Sequence, residues 1–130
     1  MPLTEVTEDE LRDALEHLAR QSVEAVVMIA AREDALAVVH STDPGLPLIV
    51  VEGDLSGRGL SVGVDQIDGA RQATQHLIDL GHRAIDHVSG PMSFTEAKGR
   101  RTGYEEAMRA AGLHPRDHWE GDWTPARGYE

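Results

Sequence analysis

The sequence predicts an α/β domain, an open and largely parallel sheet with flanking helices. Two observations carry that reading. Short, continuous apolar runs rich in β-branched residues recur along the chain, the pattern of strands covered on both faces, and stretches with apolar residues three and four apart mostly alternate with them. The elements follow in order. Thr7-Glu8-Asp9-Glu10 fits a capping box, with a Thr hydroxyl for the N3 amide and a Glu at N3 reaching back, so a helix starts there. Leu11, Ala14, Leu15, Leu18 and Ala19 form its apolar stripe and it stops near Gln21. Ala25-Val26-Val27-Met28-Ile29-Ala30-Ala31 is the first buried strand. A short helix over 34–40 ends before the turn cluster Asp43-Pro44-Gly45, and a second buried strand spans 46–51, closed by Glu52-Gly53-Asp54. A short strand over 60–65 follows a Gly-rich loop. The helix over 65–80 carries Ala70, Ala73, Leu77 and Leu80 at helical spacing, with Gly81 just past its end. The next strand covers 84–89 and breaks at Gly90-Pro91. Ser93-Phe94-Thr95-Glu96 reads as a second capping box for a helix that runs to Ala111 and stops at Gly112. A turn at 114–117 leads to a last strand, 118–123.

Both ends depart from a regular α/β order. The first element is a helix, and Thr124-Pro125 reads as an N-cap with Pro at N1, opening a helix with room for about one turn before Glu130. Either the sequence is a piece of something longer or its C-terminus frays.

Composition narrows the function. The chain has 130 residues, with Lys+Arg 12 and Asp+Glu 23, and a formal charge of −11. That length suits one domain, and with Trp 2, Tyr 2 and Phe 1 its core must be aliphatic. A charge of −11 repels phosphate backbones, so these residues by themselves are not expected to bind DNA. With Cys 0 there are no disulfides, thiolate nucleophiles or Cys-type zinc sites. Met1-Pro2-Leu3-Thr4-Glu5 has neither a basic nor an apolar leader region, and the run over 25–31 is far short of the ~20 residues a membrane span needs. A soluble, cytoplasmic chain is expected.

Catalytic templates fail. In Gly53-Asp54-Leu55-Ser56-Gly57 the Ser stands one place late for a nucleophile elbow and leads to a strand. Gly57-Arg58-Gly59 lacks the third glycine and the following helix of a dinucleotide loop, and no Gly-Lys-Ser/Thr occurs. Pro115 lies between His114 and His118, and His76, His82 and His87 lose register across Gly81, so no metal site and no cofactor is expected.

One region does stand out. In open α/β sheets ligands bind outside the carboxyl ends of strands, which is where residues 89–96 fall. Phe94 there could stack on a ligand ring or cover the first helical turn. Arg100, four residues after Glu96, could donate paired hydrogen bonds to vicinal hydroxyls or a carboxylate, or pair with Glu96 itself. Trp123 ends a strand at an equivalent place. Two rings and an arginine at strand ends suit a carbohydrate or small polar ring.

The order of residues also resembles the ligand-binding core of the lactose repressor (LacI/GalR) family of bacterial transcription regulators. The resemblance runs from Val23 to Glu130, through Glu24-Ala25-Val26-Val27, Leu46-Pro47-Leu48-Ile49-Val50-Val51 and Val64-Asp65 with Gly69. It continues with His76-Leu77-Ile78-Asp79-Leu80-Gly81-His82-Arg83-Ala84-Ile85, Gly90-Pro91, Arg100 before Gly103-Tyr104, Ala107-Met108, Ala111-Gly112-Leu113 and Gly121-Asp122-Trp123. As an ordered set these are specific. The resemblance implies a type I periplasmic-binding-protein-like (Rossmann-like) core, with an effector between two lobes and residues 1–130 forming part of it, mainly the N-terminal lobe. It implies a binding module and not an enzyme, a small-molecule effector such as a sugar, a homodimer, and operator DNA contacted by a helix-turn-helix that these residues lack. Arg100 would be the effector-binding arginine, Phe94 and Glu96 two variable effector contacts, and Trp123 the ring that stacks on the ligand. Glu96 keeps its capping role as the other reading. The resemblance leaves a central strand of the sheet missing, so a partner chain, a swapped element or marginal stability is expected. A solute-binding protein of a sugar transporter, or a small α/β enzyme, are the other functions weighed.

Overall fold

The computed structural model describes residues 7–29, 32–41, 45–53, 60–117 and 119–128. The loop glycines at 57 and 59, Ser56 and His118 fall outside them. The chain divides into two compact units, Met1–Gly63 and Val64–Glu130, each with its own parallel sheet, consistent with the predicted α/β class.

The first unit contains α1 (Glu8–Arg20), β1 (Val26–Ile29), α2 (Glu33–Ser41), β2 (Leu48–Val51) and β3 (Leu60–Val62). The capping box forms as predicted: the Thr7 N–H donates to Glu10 Oε2 at 2.8 Å and the Glu10 N–H to Thr7 Oγ1 at 3.2 Å. The strands lie in the order β1-β2-β3, all parallel, with Val26 beside Leu48 and Ile49 beside Leu60. Period-two alternation then sorts their side chains. Val26, Met28, Leu48 and Val50 turn to one face, where Val50 packs with Leu36 and Val39 of α2. Val27, Ile29, Leu60 and Val62 turn to the other and are exposed, Ile29 by 77%. The prediction of strands covered on both faces therefore holds for one face only. Among the described residues the helices of this unit cover a single side.

The second unit contains α3 (Gln66–Asp79), β4 (Val88–Ser89), α4 (Thr95–Ala110), β5 (Trp119–Glu120) and a 3-10 turn, Ala126–Gly128, where the sequence suggested a helical turn. Asp65 caps α3, accepting the Asp68 N–H at 2.8 Å. Both helices end as Gly81 and Gly112 dictate. At φ +95° and +70° these residues take the left-handed conformation that glycine adopts without a Cβ penalty. The His82 N–H then reaches Leu77 O and the Leu113 N–H reaches Met108 O. The α3 stripe is displaced from its predicted position. Thr74 is its buried residue, with Ile78 against the core, whereas Leu77 and Leu80 are exposed. The displacement follows from α4, which lies against α3 so closely that its residue 103 must be glycine. A Cβ there would stand 2.9 Å from the Arg71 amide nitrogen and closer still to the Ile67 carbonyl oxygen. Ile85, Tyr104 and Met108 form the core beneath. The strands are shorter than their apolar runs: β4 keeps two residues of the expected six and pairs with β5 through Val88 beside Trp119.

The second predicted capping box does not form. Helix α4 begins at Thr95, with Phe94 as its N-cap and no side-chain cap hydrogen bond. The Phe94 N–H instead donates to Pro91 O at 3.0 Å, closing a turn that places Ser93 outside the helix. Among the described residues no helix is long and apolar enough to cross a membrane.

Candidate functional site

Three of the four residues singled out from the sequence meet in the second unit. Phe94 is presented by the first turn of α4, Arg100 lies in that helix, and Trp123 follows β5. The Phe94 and Trp123 rings stand edge to face, 6.1 Å between centroids at 88°, the arrangement in which a positive ring edge meets a negative face. The Arg100 guanidinium carbon lies 5.9 Å from the Trp123 ring centroid, within cation–π range.

Local chemistry sets this up. The turn after β4 is held to β5 by the Met92 N–H, which donates to Glu120 Oε1 at 3.0 Å, and by the Gly121 N–H, which donates to Ser89 O at 2.8 Å. Asp122 then accepts from both the amide (2.9 Å) and the hydroxyl (2.6 Å) of Thr124, folding the chain back on itself. These bonds stabilise the ionised carboxylate, the hydroxyl contributing most, and they hold Asp122 below the usual carboxylate range. Trp123 sits at the apex with φ +65°, a left-handed backbone rare for a bulky residue. Its indole lies on Gly90. A Cβ at that position would stand 2.5 Å from Trp123 Cε2 and nearer still to two other ring carbons, so the strand end must be glycine for the ring to rest there. The indole remains half exposed.

Glu96 shares the first turn of α4 with Phe94, but its carboxylate accepts from the Thr95 hydroxyl at 3.4 Å and makes no ion pair with Arg100. Neither the capping role nor the Glu96–Arg100 pair allowed by the spacing is formed. Arg100 reaches across to α3 instead, where its Nε donates to Gln66 Oε1 at 2.7 Å.

Gln66 and Arg100 also border a cavity of about 350 Å³, whose wall includes Ala70, Thr74, His87 and Tyr104. The His87 and Tyr104 rings stack, 5.2 Å apart and 17° from parallel. The Tyr104 hydroxyl donates to Ile85 O at 2.7 Å and accepts from the Arg116 N–H at 3.0 Å, which fixes the ring as the floor of that space. Sequence reasoning did not select Gln66, His87 or Tyr104 as site residues. Gln66 is 34 positions from the arginine it holds and Tyr104 is 19 from Ile85, so no local periodicity links them. Among the described residues no group of three or more His, Asp or Glu side chains is placed to hold a metal ion. Chemically the arrangement offers an aromatic surface, a guanidinium over it and an apolar space with polar rims, the equipment for holding a small polar molecule.

Comparison with known proteins agrees with this architecture. Residues 3–124 match the family described as periplasmic binding proteins and sugar binding domain of LacI family. The chain is 33% identical over 127 residues to the HTH-type transcriptional repressor PurR of Glaesserella parasuis, covering 94% of this chain and 37% of that protein. It is 29% identical over 126 residues to PurR of Haemophilus influenzae, with the same coverage. The chain thus spans little more than a third of the length of the curated relatives it matches. Among solved structures, the complex of the transcriptional regulator CelR with cellobiose superposes with a TM-score of 0.71 at 33% identity, over 92% of this chain and 38% of that one. A LacI-family regulatory protein from Chloroflexus aggregans gives 0.79 at 25% identity, over 98% and 46%. With the family match extending over nearly all of its length, the chain belongs to the family of periplasmic binding proteins and LacI-type sugar binding domains.

Proposed function

We propose that these 130 residues are part of the effector-binding domain of a bacterial LacI-type DNA-binding transcription regulator, and that the domain senses a sugar or related small metabolite to change operator binding. The observation that carries this reading is the convergence of Phe94, Trp123 and Arg100 at neighbouring strand and helix ends, in a chain of this family. A ligand ring would lie against the half-exposed indole while the guanidinium donates to its oxygens. Glu96, on the same turn, is proposed as a further ligand contact. The relatives are named as transcriptional repressors, and one solved relative is a complex with cellobiose, which favours binding over turnover. Operator contact is assigned to a separate helix-turn-helix module, because a chain of charge −11 has no counterion-release term to offer DNA. The working protein is proposed to be a cytoplasmic homodimer in which effector and operator affinities are coupled.

The test is a thermal-shift screen of the intact protein against sugars and purines, followed by titration of the hit into wild type and Arg100→Ala. A ligand that binds only the folded state raises the melting temperature. Arg100→Ala is expected to weaken binding by ~10-fold or more, the loss of a charged hydrogen-bond donor, with folding still cooperative. An unchanged titration curve would remove Arg100 from the site. Steady turnover of the ligand would replace the regulator by an enzyme.

A further inference from the structure

Arg100 is held by partners that leave its charge in place. The chain carries 23 acidic residues against 12 Lys and Arg, and several described arginines have found one: Arg71 pairs with Asp68, Arg101 and Arg109 with Glu105, and Arg116 with Asp86. Arg100 pairs with no described carboxylate. Its two contacts are the Gln66 side-chain oxygen, 2.7 Å from Nε, and the face of Trp123. Both orient the guanidinium without neutralising it, since one partner is an uncharged amide and the other an aromatic quadrupole. The guanidinium is planar and rigid, so fixing Nε and one face leaves the edge formed by the two terminal amino groups directed and uncommitted. That edge can give two parallel hydrogen bonds to a pair of oxygens. Charge-assisted bonds of this kind are about twice as strong as neutral ones, so an oxyanion gains more from it than two hydroxyls do. The acidic chain opposes an anion at long range, but at physiological salt that repulsion is screened beyond ~8 Å, and the cation in contact decides.

We propose that Gln66 positions Arg100 to receive an oxyanion, a carboxylate or phosphate group on the small molecule bound at Phe94 and Trp123, and that the neutral amide at residue 66 sets this preference. The inference rests on the ligand site proposed above. A carboxylate at residue 66 would supply the same acceptor to Nε but cancel the charge.

Tryptophan fluorescence titrations of the intact protein at 0.15 M salt test it, with glucuronate, glucose 6-phosphate and glucose as probes. At least one acidic sugar is expected to bind ~10-fold or more tightly than glucose, and which one does identifies carboxylate or phosphate. Gln66→Glu should remove that preference, lowering acidic-sugar affinity by ~10-fold, to about that of glucose on the same variant. Gln66→Leu, which loses the acceptor, should weaken the acidic sugar as well. A merely structural Gln66 would instead leave the charge preference of Gln66→Glu intact. That result, or acidic probes binding no more tightly than glucose, overturns the proposal. Arg100→Ala separates the two levels. If it leaves acidic-sugar binding untouched, the site assignment fails as a whole; if it abolishes binding while Gln66→Glu keeps the preference, only the role of Gln66 falls.

Discussion

Glycine-to-alanine substitutions in the second unit should split by sign, and the split tests the close approach of α3 and α4. An alanine in a helix interior is favoured over glycine by ~0.8–1 kcal/mol, so without tertiary constraint each such change stabilises. At Gly69, in α3, a Cβ would meet nothing within 4 Å, and the full gain is expected. At Gly99 it would meet the Gln66 Cβ at 3.0 Å, an atom that moves only with the α3 backbone but needs to yield only a few tenths of an ångström, so the gain should be largely offset. At Gly103 the neighbours are backbone, with the Arg71 nitrogen at 2.9 Å, the Ile67 carbonyl carbon at 3.0 Å and the carbonyl oxygen nearer still. Comfortable contact begins at ~3.5 Å and the Ile67 carbonyl oxygen is the nearest obstacle, so the helices must separate by more than ~1 Å, loosening contacts on both sides of the interface. Overpacking of this kind costs ~1–3 kcal/mol, and here it displaces two helices, so a net loss of ~2 kcal/mol is expected for Gly103→Ala. Both tryptophans of the chain, Trp119 and Trp123, lie in this unit, so urea unfolding followed by tryptophan fluorescence reports on it directly. The midpoints should rank Gly69→Ala above wild type, Gly99→Ala near it and Gly103→Ala well below. A Gly103→Ala protein as stable as wild type would refute the close approach.

Tyr104→Phe removes a hydroxyl that serves the Ile85 carbonyl and the Arg116 amide together, so a loss of ~1–3 kcal/mol is expected in the same assay; a change under a few tenths would mean that water replaces it. Glu105 is held below the usual carboxylate range, first by its hydrogen bond to Arg101 and then by Arg109. Because the folded value is the depressed one, its contribution is present above the unfolded carboxylate range near pH ~4.3 and is lost as pH falls through the folded value. Glu105→Gln should therefore flatten the acid limb of the stability curve below pH ~4.5 and cost no more than ~1 kcal/mol at neutral pH, Arg109 being exposed and Arg101 only half-buried. Identical acid limbs in the two proteins would dismiss it. Gly90→Ala places a Cβ in the Trp123 ring. In a Trp119→Phe background it should shift the remaining tryptophan emission while far-UV circular dichroism stays unchanged, and an unaltered spectrum would show that the ring does not rest on Gly90.

What was legible in the sequence was what local chemistry controls. Thr7 and Glu10 are three residues apart and cap each other, and Gly81 and Gly112 end their helices through their own backbone freedom. Helix positions were accordingly close to those observed. Strand extents and buried faces were not, because they depend on what lies alongside. Residues 84–87 are as apolar as the pattern requires at Ala84 and Ile85, yet pairing with β5 reaches only Val88 and Ser89. Ser93-Phe94-Thr95-Glu96 satisfied the capping pattern but lost to the Pro91 turn, which closes on the Phe94 amide. Phe94 and Trp123 were singled out by their places at strand and helix ends and Arg100 by its spacing from Glu96, and the three lie together. Their support was not singled out, since Gln66 meets Arg100 only after α3 and α4 have packed.

The assembly around Trp123 bears on how a ligand would bind. A non-glycine residue at φ +65° carries a cost of ~1–2 kcal/mol, so something in the surroundings must offset it. Contacts within the described structure supply that offset. Asp122 takes both Thr124 donors, the indole rests on Gly90, and the Phe94 edge and the Arg100 guanidinium meet the ring. Each of these contacts lies within the second unit, so the protein's own residues orient the ring pair and the cation. Ordering each rotamer-rich side chain on binding costs ~0.5–1.5 kcal/mol, and a site already held in place avoids much of that cost. Strain at Trp123 and the glycine at residue 90 are then two halves of one arrangement: the first aims the indole outward, and the second makes the room in which it can lie.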